Sequence, residues 1–345
     1  MRVDAEIAEL PSEGSHQLSE LPILLLNVHE NCNCRCVMCD IWKRPQGSEI
    51  ATADLTRHRE SIRFLKVRQV VLTGGEPLLH SNLEALCEIL RSCGVTITLL
   101  TTGLLLSKRA DIVTRWIDEV IVSLDGPEHV HNEIRRVDRG YQLIREGIAA
   151  VRRLAPRMPI RARSTVQRSN FAFLRDTVAA ARQLGFDSIS FLAADVSSSA
   201  FNRELVWPIE RQNQIAVAPA EIHTLEQEVE QLVEQYGDET GGRFILESPE
   251  KLRRIVRRFR EYTGELLPES PICDAPWVSA VLEVDGSVRP CFFHRTVGNV
   301  SAHSLAGAIN SEAAQQFRKT LNVANNPVCQ RCVCSLHYNK GRDAK

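Results

Sequence analysis

An alternation of short apolar runs and amphipathic stretches, from residue 21 to about residue 196, most constrains the fold. The apolar runs predict six β-strands, at residues 23–28, 70–73, 96–101, 119–124, 160–166 and 188–192. Apolar residues at helical spacing predict helices between them, at residues 55–65, 83–93, 108–116, 141–154 and 173–184. Strands that alternate with helices form parallel sheets built of βαβ units. Six such units predict an α/β fold, a partial (β/α)6 TIM-like barrel.

The rest of the chain has a different pattern. Residues 219–236 and 248–264 predict two more helices, joined by a glycine-rich segment. Beyond residue 266, proline and cysteine accumulate, and Asp285-Gly286 within VLEVDGSVRPCFF predicts the turn of a β-hairpin. We therefore predict four regions: an N-terminal tail (1–20), the barrel (21–200), a helical connecting segment (201–265) and a small cysteine-rich α+β domain (266–345).

Charge and hydropathy argue against two classes of partner. The formal net charge is −1, without the basic excess of nucleic-acid-binding proteins. No apolar run is long enough to span a bilayer, and the acidic N-terminus lacks the apolar centre of a signal peptide. We therefore expect a cytoplasmic protein. In that reducing compartment, the 11 cysteines are more typical of metal binding or redox chemistry than of disulfides.

Four cysteines directly follow the first predicted strand, in the segment ENCNCRCVMCD. Loops at the carboxyl ends of barrel strands carry the chemistry of this kind of fold. The spacing Cys32-x3-Cys36-x2-Cys39 puts three thiolates on one short loop, whereas iron–sulfur cubanes normally take four cysteine ligands. Three ligands predict a [4Fe–4S] cluster with one iron left for another molecule. Taken alone, the same spacing also suits a zinc loop.

Together with motifs after the later strands, this loop resembles the signature of the radical S-adenosylmethionine (SAM) superfamily. The family's first motif is Cys-x3-Cys-x2-Cys, often with Asn after the first cysteine, as Asn33 is here. The resemblance implies that Cys32, Cys36 and Cys39 ligate a [4Fe–4S] cluster and that its fourth iron chelates SAM. It covers residues 23–195.

Motifs at the ends of three further strands strengthen the resemblance and imply a SAM site. GGEP at residues 74–77 matches a family motif whose backbone and glutamate receive the SAM amino group, because glycines allow close approach and a carboxylate suits an ammonium. TTG at residues 101–103 stands where the family commonly has Thr-Asn-Gly, and VSLDGPEHVHNEIRR resembles a stretch that contacts the SAM carboxylate and ribose. The SAM-binding residues implied are Gly74, Gly75, Glu76, Pro77, Thr102, Ser123, Asp125, Arg135 and Leu192.

Two residues of the cysteine loop depart from the family pattern. Cys34 is an additional thiol, which we interpret as a small buried filler and not as a spare ligand. Met38 stands where an aromatic residue is common, and its adaptable thioether suits packing on adenine.

The C-terminal region resembles the SPASM and twitch extensions of radical SAM enzymes. Their opening motif has two cysteines that flank a hairpin and ligate an auxiliary [4Fe–4S] cluster, as Cys273 and Cys291 do here around Gly286. A full SPASM domain needs more cysteines than the five present, so the shorter twitch form is predicted. The implied ligands are Cys273, Cys291, Cys329 and Cys332, with Cys334 as an alternative to Cys332. A four-cysteine zinc site is the other interpretation.

The resemblance implies a reaction type and a partner. SAM would be reductively cleaved to a 5′-deoxyadenosyl radical, which removes a hydrogen atom from substrate, and a flavodoxin- or ferredoxin-type protein would supply the electron. The basic helix face at residues 251–260 is either a docking site for that donor or a solvated surface. The auxiliary cluster would accept an electron from the substrate radical, making the net reaction an oxidation. A redox-neutral epimerase or lyase with a structural auxiliary cluster, and a non-catalytic zinc protein, are the alternatives.

Two substrate classes remain open. A small polar metabolite (a sugar, cyclitol or nucleoside) is favoured over a ribosomally made precursor peptide, because about twenty residues precede the first strand. Arg161, Arg163 and Thr165 alternate, so they share one strand face, where they bind an anion or form a buried ion pair. We predict Arg163 and Asp195 as catalytic residues, with Asp195 as base for a hydroxyl proton. His294 is expected at the hairpin surface, or alternatively near the auxiliary cluster.

Overall fold

The computed structural model describes residues 16–44, 47–201, 203 and 205–338, so most of the predicted N-terminal tail lies outside the described residues. The strands are β1 (Ile23–His29), β2 (Gln69–Gly74), β3 (Thr96–Thr101), β4 (Glu119–Ser123), β5 (Ile160–Val166), β6 (Ser188–Ala193), β7 (Ser279–Leu282), β8 (Ser287–Arg289) and β9 (Gly298–Asn299). They form one sheet in the order β6-β5-β4-β3-β2-β1-β7-β8-β9.

The helices lie mainly between the strands of this sheet. They are α1 (Thr52–Arg57), α2 (Arg59–Phe64), α3 (Leu83–Arg91), α4 (Ala110–Trp116), α5 (Glu128–Arg135), α6 (Gly140–Leu154), α7 (Leu174–Leu184), α8 (Ile209–Ile215), α9 (Ile222–Tyr236), α10 (Pro249–Tyr262), α11 (Ala275–Val278), α12 (Leu305–Ile309), α13 (Glu312–Thr320) and α14 (Pro327–Gln330). Short 3₁₀ helices lie at Ile41–Lys43, Pro77–Leu79, Pro219–Glu221 and Gly237–Glu239. Within the described residues, no helix is both long and apolar enough to cross a membrane.

Strands β1 to β6 are parallel and follow one another in chain order across the sheet. Each agrees with its predicted strand to within one residue, because these runs are apolar and bounded by polar or glycine-rich turns. Strands β6 and β1 do not pair in the described part of the chain, so the barrel stays open. The predicted partial (β/α)6 TIM-like barrel is confirmed.

The two faces of the sheet differ in exposure. Residues such as Leu24, Leu72 and Val122 are fully buried under the outer helices. On the opposite face, alternate residues such as Ile121 and Ser123 of β4 are only half-buried. Because strand side chains alternate between faces, the concave interior is lined by half-buried side chains and can accept ligands.

The predicted helices need two corrections. The helix predicted at residues 55–65 is divided into α1 and α2 by His58, whose backbone serves as the cap of both. Helix α5 was missed, because Val130 and Ile134 are its only buried apolar residues and its mean composition is polar. It begins directly after the Asp125-Gly126-Pro127 turn, so a segment predicted only as a ligand-binding motif is also a helix.

The C-terminal hairpin belongs to the barrel sheet. Strand β7 pairs in parallel with β1, and β8 pairs antiparallel with β7. Asp285 Oδ1 accepts the Ser287 N–H at 2.9 Å, and Gly286 has a φ of +81°, so the predicted Asp-Gly turn is confirmed. The sheet therefore continues across the domain boundary predicted at residue 266, and that boundary stays a prediction.

Candidate cofactor sites at the carboxyl ends of the strands

The first cysteine cluster lies on the loop after β1. Two backbone hydrogen bonds fix this loop to the end of α5: the Arg35 N–H donates to Arg135 O (3.2 Å), and the Val37 N–H donates to Ile134 O (3.0 Å). The loop thereby gathers one small apolar cluster, formed by Cys32, Cys34, Cys36, Met38, Cys39, Leu104, Val137 and Leu143. All three predicted ligands of the first iron–sulfur cluster converge there.

Each of these three sulfur atoms accepts one N–H group. The pairs are Cys34 N to Cys32 Sγ (3.5 Å), Ile41 N to Cys39 Sγ (3.4 Å) and Arg135 Nη1 to Cys36 Sγ (3.5 Å). A hydrogen bond from Cys34 lowers the pKa of Cys36 to about 6, with a further contribution from Arg135 and against the effect of burial. N–H donors and a nearby cation stabilise thiolates, so this sulfur set fits an iron cluster.

Cys34 has a different environment. Its side chain is 1% exposed. Hydrogen bonds to Cys32 and Cys36, followed by burial, raise its pKa well above the ordinary thiol range. Cys34 is therefore the protonated partner that donates to its neighbours, which supports the prediction that it is a buried filler.

The GGEP loop packs against the start of the cysteine loop. The Gly75 N–H donates to His29 O (2.7 Å), and the Glu76 N–H donates to Asn31 O (2.8 Å). A Cβ atom at Gly75 would lie 2.1 Å from Asn31 O, and Gly74 has a φ of +129°. The two glycines are thus required by the close approach of the chain to itself, in addition to any approach to a ligand.

The Glu76 carboxylate is fully buried and accepts four hydrogen bonds. The donors are Leu78 N (3.0 Å), Thr101 Oγ1 (2.7 Å), Thr102 N (2.7 Å) and Thr102 Oγ1 (2.6 Å). Burial raises the pKa of Glu76, and these hydrogen bonds oppose that shift. Glu76 therefore joins the ends of β2 and β3, and its predicted contact with the SAM amino group stays a prediction.

An unsatisfied polar atom lies beside this network. The Asn33 Oδ1 is 3.0 Å from the Thr102 hydroxyl. The Asn33 Nδ2 is buried and has no hydrogen-bond partner among the described residues. Buried donors without a partner are rare and call for an explanation. A polar ligand held between the cysteine loop and Thr102 would satisfy this amide.

Asp125 and Arg135 form a buried ion pair behind the cysteine loop. Arg135 Nε is 2.6 Å from Asp125 Oδ2, and Asp125 Oδ1 accepts the Thr165 N–H at 2.9 Å. Burial opposes the charge of Arg135, but Asp125 and Cys36 outweigh it and raise the arginine pKa. Both residues were predicted to contact SAM. The structure shows them joined to each other and to Cys36, so direct SAM contact stays a prediction.

Two arginines alternate on one face of β5, and within the described chain Arg161 forms an ion pair whereas Arg163 does not. Arg161 Nε is 2.6 Å from Glu119 Oε1, which is the ion pair expected as an alternative to anion binding. Arg163 lies beside Ser123 in the β4–β5 register and donates to Ser190 Oγ at 3.3 Å. Within the described chain, Arg163 forms no ion pair with a carboxylate. Its charge acts on Glu247, where it opposes the rise that burial causes in the pKa of that carboxyl, and on Cys334 of the C-terminal region.

The other predicted residues at this end of the sheet have mixed environments. Leu192 is half-buried and lies beside Thr165 in the β5–β6 register, on the barrel interior. Asp195 is 5% exposed and pairs with Arg203 at 3.2 Å, while Ser198 Oγ also donates to it. This carboxylate has an internal cationic partner, so the catalytic role predicted for Asp195 stays a prediction that the geometry does not favour.

The five C-terminal cysteines converge on one site. Cys273 precedes α11, Cys291 follows β8, and the other three lie in and after α14. Burial raises the pKa of Cys329 to about 12, with further contributions from the Cys291 and Cys273 thiols. The same two thiols also raise the pKa of Cys332 and the pKa of Cys334. This thiol-rich donor set fits an iron–sulfur cluster. The described residues contain no group of three metal-ligating side chains around a single ion position.

The last described residues, up to Tyr338, lie beside this site. Asp274 binds the final segment, since its N–H donates to Leu336 O (2.9 Å) and its carboxylate accepts the Tyr338 N–H (2.9 Å). Burial raises the pKa of Cys334 to about 11, while the charge of Arg163 lowers it and that of Asp195 raises it further. Cys334 therefore lies near both residues, and the auxiliary site adjoins the barrel mouth.

Comparison with protein families agrees with this geometry. Residues 26–165 match the radical SAM superfamily, and residues 273–333 match the SPASM iron–sulfur cluster-binding domain. The chain therefore carries a radical SAM domain and, C-terminal to it, a SPASM domain. Its cofactors are SAM with a [4Fe–4S] cluster and an auxiliary iron–sulfur centre, as predicted.

Two curated relatives are similar over parts of the chain. The pre-heme d1 synthase of Dinoroseobacter shibae is 28% identical over 150 residues, which cover 42% of this chain and 37% of the relative. The GTP 3′,8-cyclase of Pelotomaculum thermopropionicum is 33% identical over 115 residues, which cover 31% of this chain and 35% of the relative. The chain thus spans about a third of the length of these relatives.

Solved structures share the fold over most of the chain. SuiB of Streptococcus suis, bound to its precursor peptide SuiA, has a TM-score of 0.63 at 14% identity and covers 93% of this chain and 73% of SuiB. Native anSMEcpe with bound AdoMet has a TM-score of 0.61 at 17% identity and covers 90% of this chain and 86% of anSMEcpe. These likenesses support the barrel and C-terminal architecture.

Proposed function

We propose that the chain is a radical SAM oxidoreductase that removes a hydrogen atom from a small, anionic polar metabolite and passes one substrate electron to the auxiliary cluster. Cys32, Cys36 and Cys39 would hold the first cluster, and Cys273, Cys291, Cys329 and Cys332 the second. With SAM bound, the first cluster supplies the electron that cleaves the sulfonium and yields the 5′-deoxyadenosyl radical.

The unpaired Arg163 carries this proposal. Its strand neighbour Ser123 lies at the predicted SAM site, and its charge acts on Cys334 at the auxiliary site. A guanidinium without a carboxylate partner suits a substrate carboxylate or phosphate, which it can bind through two N–H groups. A substrate held by Arg163 would lie between the two cofactor sites, as hydrogen abstraction followed by electron transfer requires.

The open side of the barrel supports a small substrate. After β6, Arg203 lies over the Trp207 ring, with its guanidinium carbon 3.8 Å from the ring centroid. Trp207 Nε1 donates to Asp40 Oδ2 at 2.6 Å, directly after the cysteine loop. This hydrogen bond links the segment after β6 to the loop after β1, at the carboxyl ends of the strands. The relatives named pre-heme d1 synthase and GTP 3′,8-cyclase also favour a small molecule.

A precursor peptide is the second candidate substrate. Leu205, Val206 and Ile209 are exposed apolar residues on the same segment after β6. Such side chains suit contact with apolar residues of a peptide. SuiB, which shares the fold, was solved with a precursor peptide. Peptide modification would require this segment to move away from Asp40.

An external one-electron donor of the flavodoxin or ferredoxin type is part of the proposal. Its docking site on the basic face of α10 is not favoured. Arg253 pairs with Glu230 at 2.7 Å, and Arg257 pairs with Glu261 at 2.9 Å. These internal carboxylates neutralise the charge that an acidic donor would recognise.

Deuterium transfer tests the substrate class. The reconstituted protein, SAM and dithionite would be incubated anaerobically with perdeuterated cell extract, separated into low-molecular-mass and polypeptide fractions. We expect deuterium in 5′-deoxyadenosine from the low-molecular-mass fraction. Deuterium from the polypeptide fraction alone would favour the peptide candidate, and deuterium from neither fraction would refute both.

A matched pair of substitutions tests Arg163. Because a hydrogen bond to a charged group contributes about 1.5–3 kcal/mol, Arg163→Met should lower deuterium transfer roughly ten- to a hundredfold. Arg161→Met is the control, since Arg161 lies on the same strand face and is paired with Glu119. Equal transfer by wild type and Arg163→Met, at equal iron content, would refute the role of Arg163.

A further inference from the structure

His294 is buried beside the auxiliary cysteines instead of lying at the hairpin surface, where it was expected. His294 follows β8, and 7% of the residue's surface is exposed. A neutral imidazole has one N–H donor and one acceptor nitrogen.

Three contacts hold the His294 turn and the His294 ring in place. Arg289 Nε donates to His294 O at 2.9 Å, and Arg289 Nη2 donates to Phe292 O at 2.7 Å, so this arginine holds the turn that carries the histidine. The imidazole packs edge-on against Phe317 of α13, with ring centroids 4.8 Å apart. Arg289 holds the backbone of this turn and Phe317 packs on the ring, so the ring nitrogen atoms have a defined direction.

One ring nitrogen is directed at a predicted cluster ligand. His294 Nε2 lies 3.3 Å from Cys329 Sγ, within hydrogen-bond distance for sulfur. A thiolate is only an acceptor, so Nε2 must carry the proton in this pair. If Nε2 were unprotonated, two hydrogen-bond acceptors would lie next to each other, and the thiolate would receive no hydrogen bond from His294.

An N–H donor to a ligating sulfur affects the electron affinity of an iron–sulfur cluster. Reduction adds negative charge that spreads onto the sulfur ligands, and a donor stabilises this charge. We propose that His294 is a positioning residue for the auxiliary cluster, whose Nε2–H group donates to the Cys329 thiolate and raises the reduction potential of that cluster. This inference rests on the proposed function, because it requires Cys329 to ligate the auxiliary cluster.

The direction of this effect fits the proposed oxidation. A cluster that accepts an electron from a substrate radical needs a potential above that of the couple formed by the product and this radical, so a raised cluster potential favours the transfer. The three N–H groups at the first cluster come from two backbone amides and Arg135. At the auxiliary site, a histidine side chain from outside the cysteine motifs supplies the donor to Cys329.

The test uses full-length protein with Cys32→Ala, Cys36→Ala and Cys39→Ala, so that only the auxiliary cluster contributes. Iron and sulfide content would be measured first, then the midpoint potential by redox titration followed by electron paramagnetic resonance. We expect about four irons in this background. A protein without iron at this stage would refute the auxiliary cluster itself, before any change at His294.

Two substitutions and one control then test His294. His294→Leu should keep the cluster and shift the midpoint potential to a more negative value. His294→Gln should shift it less, because the amide N–H can replace the imidazole donor. Phe317→Leu is the control, since it alters the packing of the ring and keeps the donor. An unchanged potential in His294→Leu, an equal shift in Phe317→Leu, or loss of iron from both His294 variants would overturn the proposal.

Discussion

Replacing Arg135 by methionine should destabilise the fold strongly. The Asp125 side chain is fully buried, and its Oδ2 is 2.6 Å from Arg135 Nε. Arg135→Met keeps the aliphatic stem but leaves this carboxylate with the backbone N–H of Thr165 as its remaining hydrogen-bond donor among the described residues. Removing one partner of a buried ion pair costs about 3–5 kcal/mol, because the other charge stays buried and unpaired. We expect this loss in the free energy of unfolding.

Urea denaturation of the apo-protein, followed by circular dichroism, measures this loss without a contribution from the clusters. Adding Asp125→Asn to Arg135→Met should recover about 1–3 kcal/mol, because the unpaired charge is then absent. Arg253→Met is the matched control: Arg253 pairs with the exposed Glu230 at 2.7 Å, so its loss should cost less than about 1 kcal/mol. A cost below about 1 kcal/mol for Arg135→Met, or a double variant no more stable than the single one, would refute the reasoning.

Two further predictions concern the cofactor sites. Glu76→Gln replaces a buried acceptor of four hydrogen bonds by a group that is partly a donor, so it should cost about 1–3 kcal/mol in urea denaturation. Because burial raises the pKa of Glu76, the wild type should lose stability as pH rises from the usual glutamate pKa through this raised value, and Glu76→Gln should lack this dependence. In the protein without Cys32, Cys36 and Cys39, Cys332→Ala should lose most of its iron and Cys334→Ala should keep it. The reverse result in iron analysis would assign Cys334 as the ligand.

The six barrel strands were predictable because each is a short apolar run between polar turns. A buried parallel strand needs this pattern, whatever its neighbours are. Helix α5 was not predictable in the same way. Its eight residues have two buried apolar side chains, Val130 and Ile134, and its stability comes from contacts with the cysteine loop. The backbone carbonyls of Ile134 and Arg135 accept hydrogen bonds from the cysteine loop. The hydrophobic pattern of α5 does not indicate these contacts.

The residues of the candidate site could be named from motifs, but their partners could not. Arg135 and Asp125 were both predicted at the SAM site, and nothing in their spacing indicates that they bind each other. Glu76 was predicted to receive an ammonium, yet its four donors come from the adjacent loops. His294 was expected at the surface, because the residues that bury it, Arg289 and Phe317, lie on different elements of the fold.

The pairing of β7 with β1 determines how the two cofactor sites are related. Neighbouring strands lie about 4.8 Å apart, so the loop after β1 and the hairpin after β7 begin side by side. The Asn27 amide donates to Glu283, which joins the ends of these two strands. Without β7, strand β1 would be an exposed sheet edge directly before the cysteine loop. The C-terminal domain therefore does more than carry a second set of cysteines, because it completes the sheet that positions the first set.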